Sequence, residues 1–244
     1  MIHILNGDAL RDRFPPALAG PRIVVRECLV DGPVDGVTPE ELFPLRTQFL
    51  AKAYGSSPEF YQQYVIPEYQ KIRSIPADAE VCLWFEDDLF CQVNAWFVAA
   101  LLDALPHAIK LYWVSPTADI QYGFGGMAQE DLLAAFRQKQ LLRADDLANL
   151  ATLWPAYQHQ DFSAMLQLAL ALQPILPLLP TAVAAHIQRF PADGSAGRPE
   201  NALRRLREEL NTSHFGRVYQ AFCQQEAIYG FGDLQVRRIW DSLS

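Results

Sequence analysis

The chain has 244 residues, 50% of them hydrophobic and 20% charged, with a formal net charge of −8. That length allows one large domain or two modest ones, and the composition is that of an ordinary globular protein rather than a disordered, collagenous or disulfide-stapled one. The acidic excess lies early: residues 1–118 carry 9 Lys/Arg against 15 Asp/Glu, whereas residues 200–244 carry 6 of each. Nonspecific nucleic-acid affinity needs clustered Lys and Arg, so only the segment 200–244 keeps a weak claim to nucleic acid.

Met1-Ile2-His3-Ile4-Leu5 reaches polar Asn6-Gly7-Asp8 too soon for a secretory signal core. The richest apolar stretch, 166–179, is broken by Gln167, Gln173, Pro174 and Pro177 and is too short to span a bilayer. A cytoplasmic protein with no membrane partner is expected. Cys28, Cys82, Cys91 and Cys223 form no C-x-x-C pair and read as core packing, and the scattered histidines form no metal-binding pair.

Four apolar runs rich in β-branched or aromatic residues, 2–5, 22–26, 81–85 and 109–114, read as buried parallel strands. Helical spacing fits 8–18, 39–54 and 58–72 between them, and the alternation predicts an α/β, Rossmann-like layered domain with a mainly parallel sheet over 1–127. From Ala128 the strand signal gives way to helical spacing at Leu132, Leu133, Phe136, Leu141 and Leu142, and a helical extension is expected over 128–190. Residues 191–199, Pro-Ala-Asp-Gly-Ser-Ala-Gly-Arg-Pro, form the clearest turn cluster. Helices over 200–210, 214–229 and 234–243 then make a small unit over 191–244, either winged-helix-like or simply a helical appendage.

Open α/β sheets bind ligands at the carboxyl ends of their strands, which draws attention to three junctions. Asn6-Gly7-Asp8 ends the first strand and opens a helix, where backbone N–H groups favour an anion unless Asp8 caps them itself. Arg26-Glu27 ends the second strand; Arg26 and the helical Arg46 are candidate clamps for a carboxylate or phosphate, or members of a structural ion-pair cluster. Glu86-Asp87-Asp88 ends the third strand and begins a helix, a place where acids are stabilising by themselves. If the strands are parallel, Asp8, Glu27, Glu86 and Asp88 share one edge as candidate catalytic carboxylates. Such a gathering raises at least one pKa unless a cation compensates. Mg²⁺ on Asp8, Glu86 and Asp88 would do so, and Gln92, one turn into the helix, contacts the ligand or packs against the loop. Gly123-Phe124-Gly125-Gly126 lacks the spacing of a phosphate-binding loop and reads better as a glycine turn with a buried Phe124.

Taken together, His3-Ile4-Leu5-Asn6-Gly7-Asp8, Arg26-Glu27 through Asp31-Gly32-Pro33, residues 83–92, Leu153-Trp154 with Tyr157, and Glu226 with Gly232-Asp233 resemble the bacterial family known as domain of unknown function 1835. The resemblance spans nearly the whole chain and implies no established activity. It implies a family pattern in which the Asp87 position is often histidine, where this chain departs, and so favours Glu86 and Asp88 as the polar pair.

Two functions are in play. One is a metal-assisted enzyme, or a former one, that binds a small phosphorylated or nucleotide-like ligand at the strand edge. The other is a non-catalytic regulatory or interaction protein whose helical C-terminal unit contacts protein or DNA, the latter through Arg204, Arg205 and Arg207.

Overall fold

The computed structural model describes residues 1–117 and 123–243. Five strands, β1 (Ile2–Asn6), β2 (Arg22–Val25), β3 (Glu80–Trp84), β4 (Lys110–Val114) and β5 (Gln140–Leu142), form one sheet in the order β2-β1-β3-β4-β5. The first four are parallel and β5 runs antiparallel to β4. Because Asn6 pairs with Val25 and Leu5 with Trp84, the junctions after β1, β2 and β3 lie along one edge.

Alternation along the strands divides the apolar residues between two faces. On one face Leu5, Cys82, Trp84 and Val114 pack with Leu10 of α1 (Asp8–Arg13) and with Leu132 and Ala135 of a later helix, Gln129–Arg137. On the other, Ile4, Leu83 and Trp113 belong to a much larger core. That core contains α2 (Pro39–Tyr54), and α3 (Pro58–Phe60) leads through a π turn, Tyr61–Val65, into its next helix, α4 (Ile66–Arg73). At its centre is α5 (Leu89–Asp103), followed in the chain by the helix already met, now α6 (Gln129–Arg137), then α7 (Ala144–Gln158), α8 (Phe162–Leu172) and α9 (Leu179–Ile187). The same core continues without interruption into Leu203 and Leu206 of α10 (Arg198–Glu209), Phe222 of α11 (Phe215–Gln225) and Val236 of α12 (Asp233–Ser242). The protein is thus an α/β fold with a mainly parallel sheet, and no helix among the described residues is long and apolar enough to cross a membrane.

Several boundaries differ from those the sequence predicts, each for a local reason. The helix expected over 8–18 ends at Arg13 because Pro15 and Pro16 follow at once. The helix expected over 58–72 passes through the π turn: Pro67 has no N–H to give to the preceding turn, and Ile66 N–H reaches back to the Tyr61 carbonyl. Strand β5 lies where helical spacing was expected. It is three residues long and has no β-branched residue, so periodicity does not reveal it.

Arg46 and Glu27 form a buried pair with every polar atom engaged. Arg46 Nε and Nη2 donate to the two Glu27 oxygens at 3.0 and 2.9 Å, and its remaining N–H groups go to the carbonyls of Cys28, Asp31 and Pro33. Glu27 also accepts from the Tyr61 hydroxyl at 2.7 Å and from Cys28 N–H at 2.7 Å. The pair thereby ties the loop after β2 to α2 and to the π turn. Removing one partner of such a pair strands the other's charge, so Arg46→Met is expected to cost about 3–5 kcal/mol in chemical denaturation. A loss below about 1 kcal/mol, the scale of an exposed ion pair, would contradict this account.

Candidate functional site

Helix α5 is buried on nearly all sides, from Leu89 to Leu102. Its first N–H groups therefore need a protein acceptor, and the Asp88 side chain supplies one by accepting from Cys91 N–H at 2.9 Å. This cap is 3% exposed, and so its carboxylate is itself out of water. Beside it opens a cavity of about 350 Å³. Asn6, Glu86, Asp88 and Cys91 form its wall on the sheet side, while Phe222, Cys223, Glu226 and the Gly230-Phe231 turn close it from the C-terminal helices.

A chain of side chains points its donors toward Glu86. Asn94, buried on α5, receives Leu29 N–H at 3.3 Å and donates to the Glu27 carbonyl at 2.7 Å and to Asn6 Oδ1 at 2.9 Å. Asn6 Nδ2 donates to Cys91 Sγ at 2.9 Å, and the Cys91 thiol donates to Glu86 Oε2 at 3.3 Å. Phe124 N–H, from the glycine turn, donates to the other oxygen of Glu86 at 2.5 Å. Gln92 Nε2 holds the Glu86 carbonyl at 2.7 Å, leaving Gln92 Oε1 buried without a partner among the described residues. Fully directed networks of this kind fix side-chain positions within narrow limits.

Among the described residues no basic side chain lines this cavity. Burial, reinforced by the negative charge of Glu86, pushes the Asp88 carboxyl up to about 7. Burial raises Glu86 as well, against the opposing pull of Phe124 N–H and the Cys91 thiol. Asp87, raised by burial and then by Glu86, reaches about 6. Burial also lifts the Cys91 thiol well above its ordinary value, so it is a hydrogen-bond donor rather than a nucleophile unless a cation lowers it. Among the described residues the one other carboxylate at the cavity, Glu226, is compensated by Arg198 Nε at 2.8 Å. One oxygen each from Glu86 and Asp88 and the Cys91 sulfur lie within 4.8 Å of one another, a spacing compatible with a shared metal ion.

The residues expected from sequence fall into three groups. Asn6, Glu86 and Asp88 meet at the cavity, with Gln92 holding Glu86 from behind. Glu27 and Arg46 close on each other, and the guanidinium retains no N–H for a ligand. Asp8 points elsewhere, accepting from Arg26 Nε at 2.8 Å and pairing with Arg11, so Arg26 is engaged by Asp8 and by the Tyr64 carbonyl, and Cys91 occupies the third position of the donor cluster. Gly7 takes a φ of 86° at the start of α1, which only glycine adopts readily. The glycine turn delivers Phe124 into the smaller core, 3% exposed, and spends its N–H on Glu86.

In the sequence Cys91 is indistinguishable from a packing cysteine, and neither Cys223 nor Phe231 stands in a motif that marks it as lining a cavity. Asn94 carried a usable signal, since it is an amide one turn after Cys91 inside an otherwise apolar helix. Comparison with known protein families, characterised proteins and solved structures finds no match to this chain.

Two expectations follow. Gly230 has a φ of +62°, and a Cβ there would overlap Asp88 Oδ1. Gly230→Ala should therefore lower stability by at least the 1–2 kcal/mol of a left-handed non-glycine residue, and an unchanged denaturation midpoint would show that the turn does not seat on Asp88. The second concerns pH. Asp87, Asp88 and Glu86 have pKa values raised on folding, so the unfolded chain loses these protons first, near pH 4. Between there and about pH 7 the folded state holds more protons, and stability falls as pH rises. Asn caps a helix as well as Asp does, so Asp88→Asn should flatten the decline in Tm between pH 5 and pH 8; parallel curves for the two proteins would refute the assignment.

Proposed function

We propose that the protein binds a small anionic ligand, phosphorylated or nucleotide-like, in the cavity between the sheet edge and the C-terminal helices. Glu86, Asp88 and Cys91 hold a divalent cation there, and the protein is a metal-assisted enzyme. The observation that carries this reading is the meeting of three donor atoms within 4.8 Å in a cavity that no basic side chain lines. An uncompensated carboxylate pair calls for a cation, a proton or a metal. Small side-chain rotations would bring such donors to the metal–oxygen and metal–sulfur distances of about 2.0–2.3 Å. When bound, the ion supplies positive charge to anionic oxygens of the ligand, for which the cavity has no arginine or lysine.

A Rossmann-like arrangement supports the placement. The strand order reverses between β1 and β3, and open α/β sheets bind ligands at such reversals. The resemblance to the domain of unknown function 1835 family belongs to the same proposal, with Glu86 and Asp88 as its polar pair. Asp88 near pH 7 favours a second use of the site, in which the pair moves a proton to or from the ligand without a metal. The regulatory alternative draws on the exposed Arg204, Arg205 and Arg207 of α10. Against a separate C-terminal appendage stands the cavity wall that this unit provides.

Thermal-shift measurements with Mg²⁺, Mn²⁺ and Zn²⁺ separate these uses. Tm should rise with at least one cation, and the rise should disappear in Glu86→Gln and Asp88→Asn. Carboxylates suit Mg²⁺ and Mn²⁺ whereas sulfur suits Zn²⁺, so loss of the Zn²⁺ response alone in Cys91→Ser would place the thiol among the ligands. Wild-type protein that responds to none of the three would exclude the metal and leave proton transfer.

A further inference from the structure

On the other side of Phe231 lies a second cavity of about 250 Å³, lined by Asp31, Arg189, Phe231, Gln235 and Arg238. Its charges are unequal: two guanidinium groups face one carboxylate. That carboxylate is committed, because Asp31 Oδ2 accepts from Arg238 Nε at 3.1 Å and from the Tyr54 hydroxyl. Arg189 is placed differently. Its guanidinium lies over the rings of Phe190 and Phe231, 5.2 and 5.5 Å from their centroids, and Nη1 is buried with no hydrogen-bond partner among the described residues. Stacking occupies the faces of the guanidinium and the Tyr157 hydroxyl engages part of its N–H edge, but Nη1 keeps no acceptor, and a buried charged donor without one is costly. The Arg46 guanidinium in the same protein has every N–H engaged, so the unpartnered Nη1 of Arg189 is not a general habit of this fold.

We propose that this cavity is a second binding site, for a small oxyanion group of the carboxylate or phosphate class, received by the unpartnered Nη1 of Arg189 with Arg238 and the Gln235 amide beside it. Oxyanions match the planar N–H fork of arginine, two parallel hydrogen bonds at a time. The volume is below the range of about 300–1,000 Å³ typical of pockets for drug-sized ligands and suits one headgroup rather than a whole nucleotide. Neither Glu86 nor Asp88 lines it, so it stands whether or not a metal binds across Phe231.

Isothermal titration of the full chain tests this at constant ionic strength, with a chelator present to exclude metals. Sodium phosphate and sodium acetate are the probes, and sodium chloride is the control. Saturable binding of phosphate or acetate is expected, weakened at least tenfold in Arg189→Gln and unchanged in Arg137→Gln, which removes an exposed arginine of α6. Phosphate alone binding assigns a phosphate group, and acetate alone a carboxylate. The proposal is overturned if neither oxyanion gives a saturable signal beyond chloride, or if Arg189→Gln binds as tightly as wild type. Arg238→Gln covers the case in which Arg189→Gln does not fold, and full affinity in that variant would also overturn it.

Discussion

The complete burial of α5 is the constraint on which the rest of the arrangement depends. A helix flanked by the sheet on one side and by α7 and α9 on the other cannot satisfy its first N–H groups with water. The chain meets that demand with Asp88, and the cap then carries the cost of being buried itself. A carboxylate that would be unremarkable on a surface helix becomes, beside Glu86, half of an acidic pair that keeps protons toward neutral pH. Helix capping and site chemistry are here the same interaction seen from two sides.

The contrast between the two buried acidic groups separates architecture from a site. Glu27 has a guanidinium, a hydroxyl and an amide N–H arranged about its two oxygens. It is neutralised, saturated and sealed, the condition of a structural network. Glu86 and Asp88 receive backbone N–H groups and a thiol between them and, among the described residues, no cationic side chain. They also border a cavity. Groups left uncompensated where a ligand can enter are the ones whose balance an ion or a proton completes.

The C-terminal helices belong to this site. Phe222 is part of the core shared with the sheet, and Gly230 passes so close to Asp88 that no side chain fits. Glu226 is held by Arg198, which orients α10 against the segment that closes the cavity. A turn in left-handed backbone, placed by a core contact and an ion pair, forms the wall that the sheet edge lacks. Phe231, buried at the end of that turn, divides the acidic cavity from the arginine-lined one.

Much of this was legible in the residues alone. Short β-branched runs ending in polar residues marked the parallel strands, because strands buried on both faces must be apolar throughout, and the same polar ends located Asn6, Glu86 and Asp88. Strand β5 and the π turn escaped because one is three residues without a β-branched member and the other arises from a missing donor at Pro67. Sequence also places Asp8, Arg26 and Glu27 near one edge and offers Arg46, on the next helix, as a clamp, but it does not say where their side chains turn. Tertiary structure decided that, by pairing Asp8 with Arg26 and Glu27 with Arg46 and leaving Glu86 and Asp88 with Cys91 and a wall supplied by Phe222, Cys223, Glu226, Gly230 and Phe231 from the far end of the chain. Backbone periodicity is a local property and can be read along the chain. Charge compensation depends on which atoms meet in space, and only the folded arrangement determines which acids find a partner.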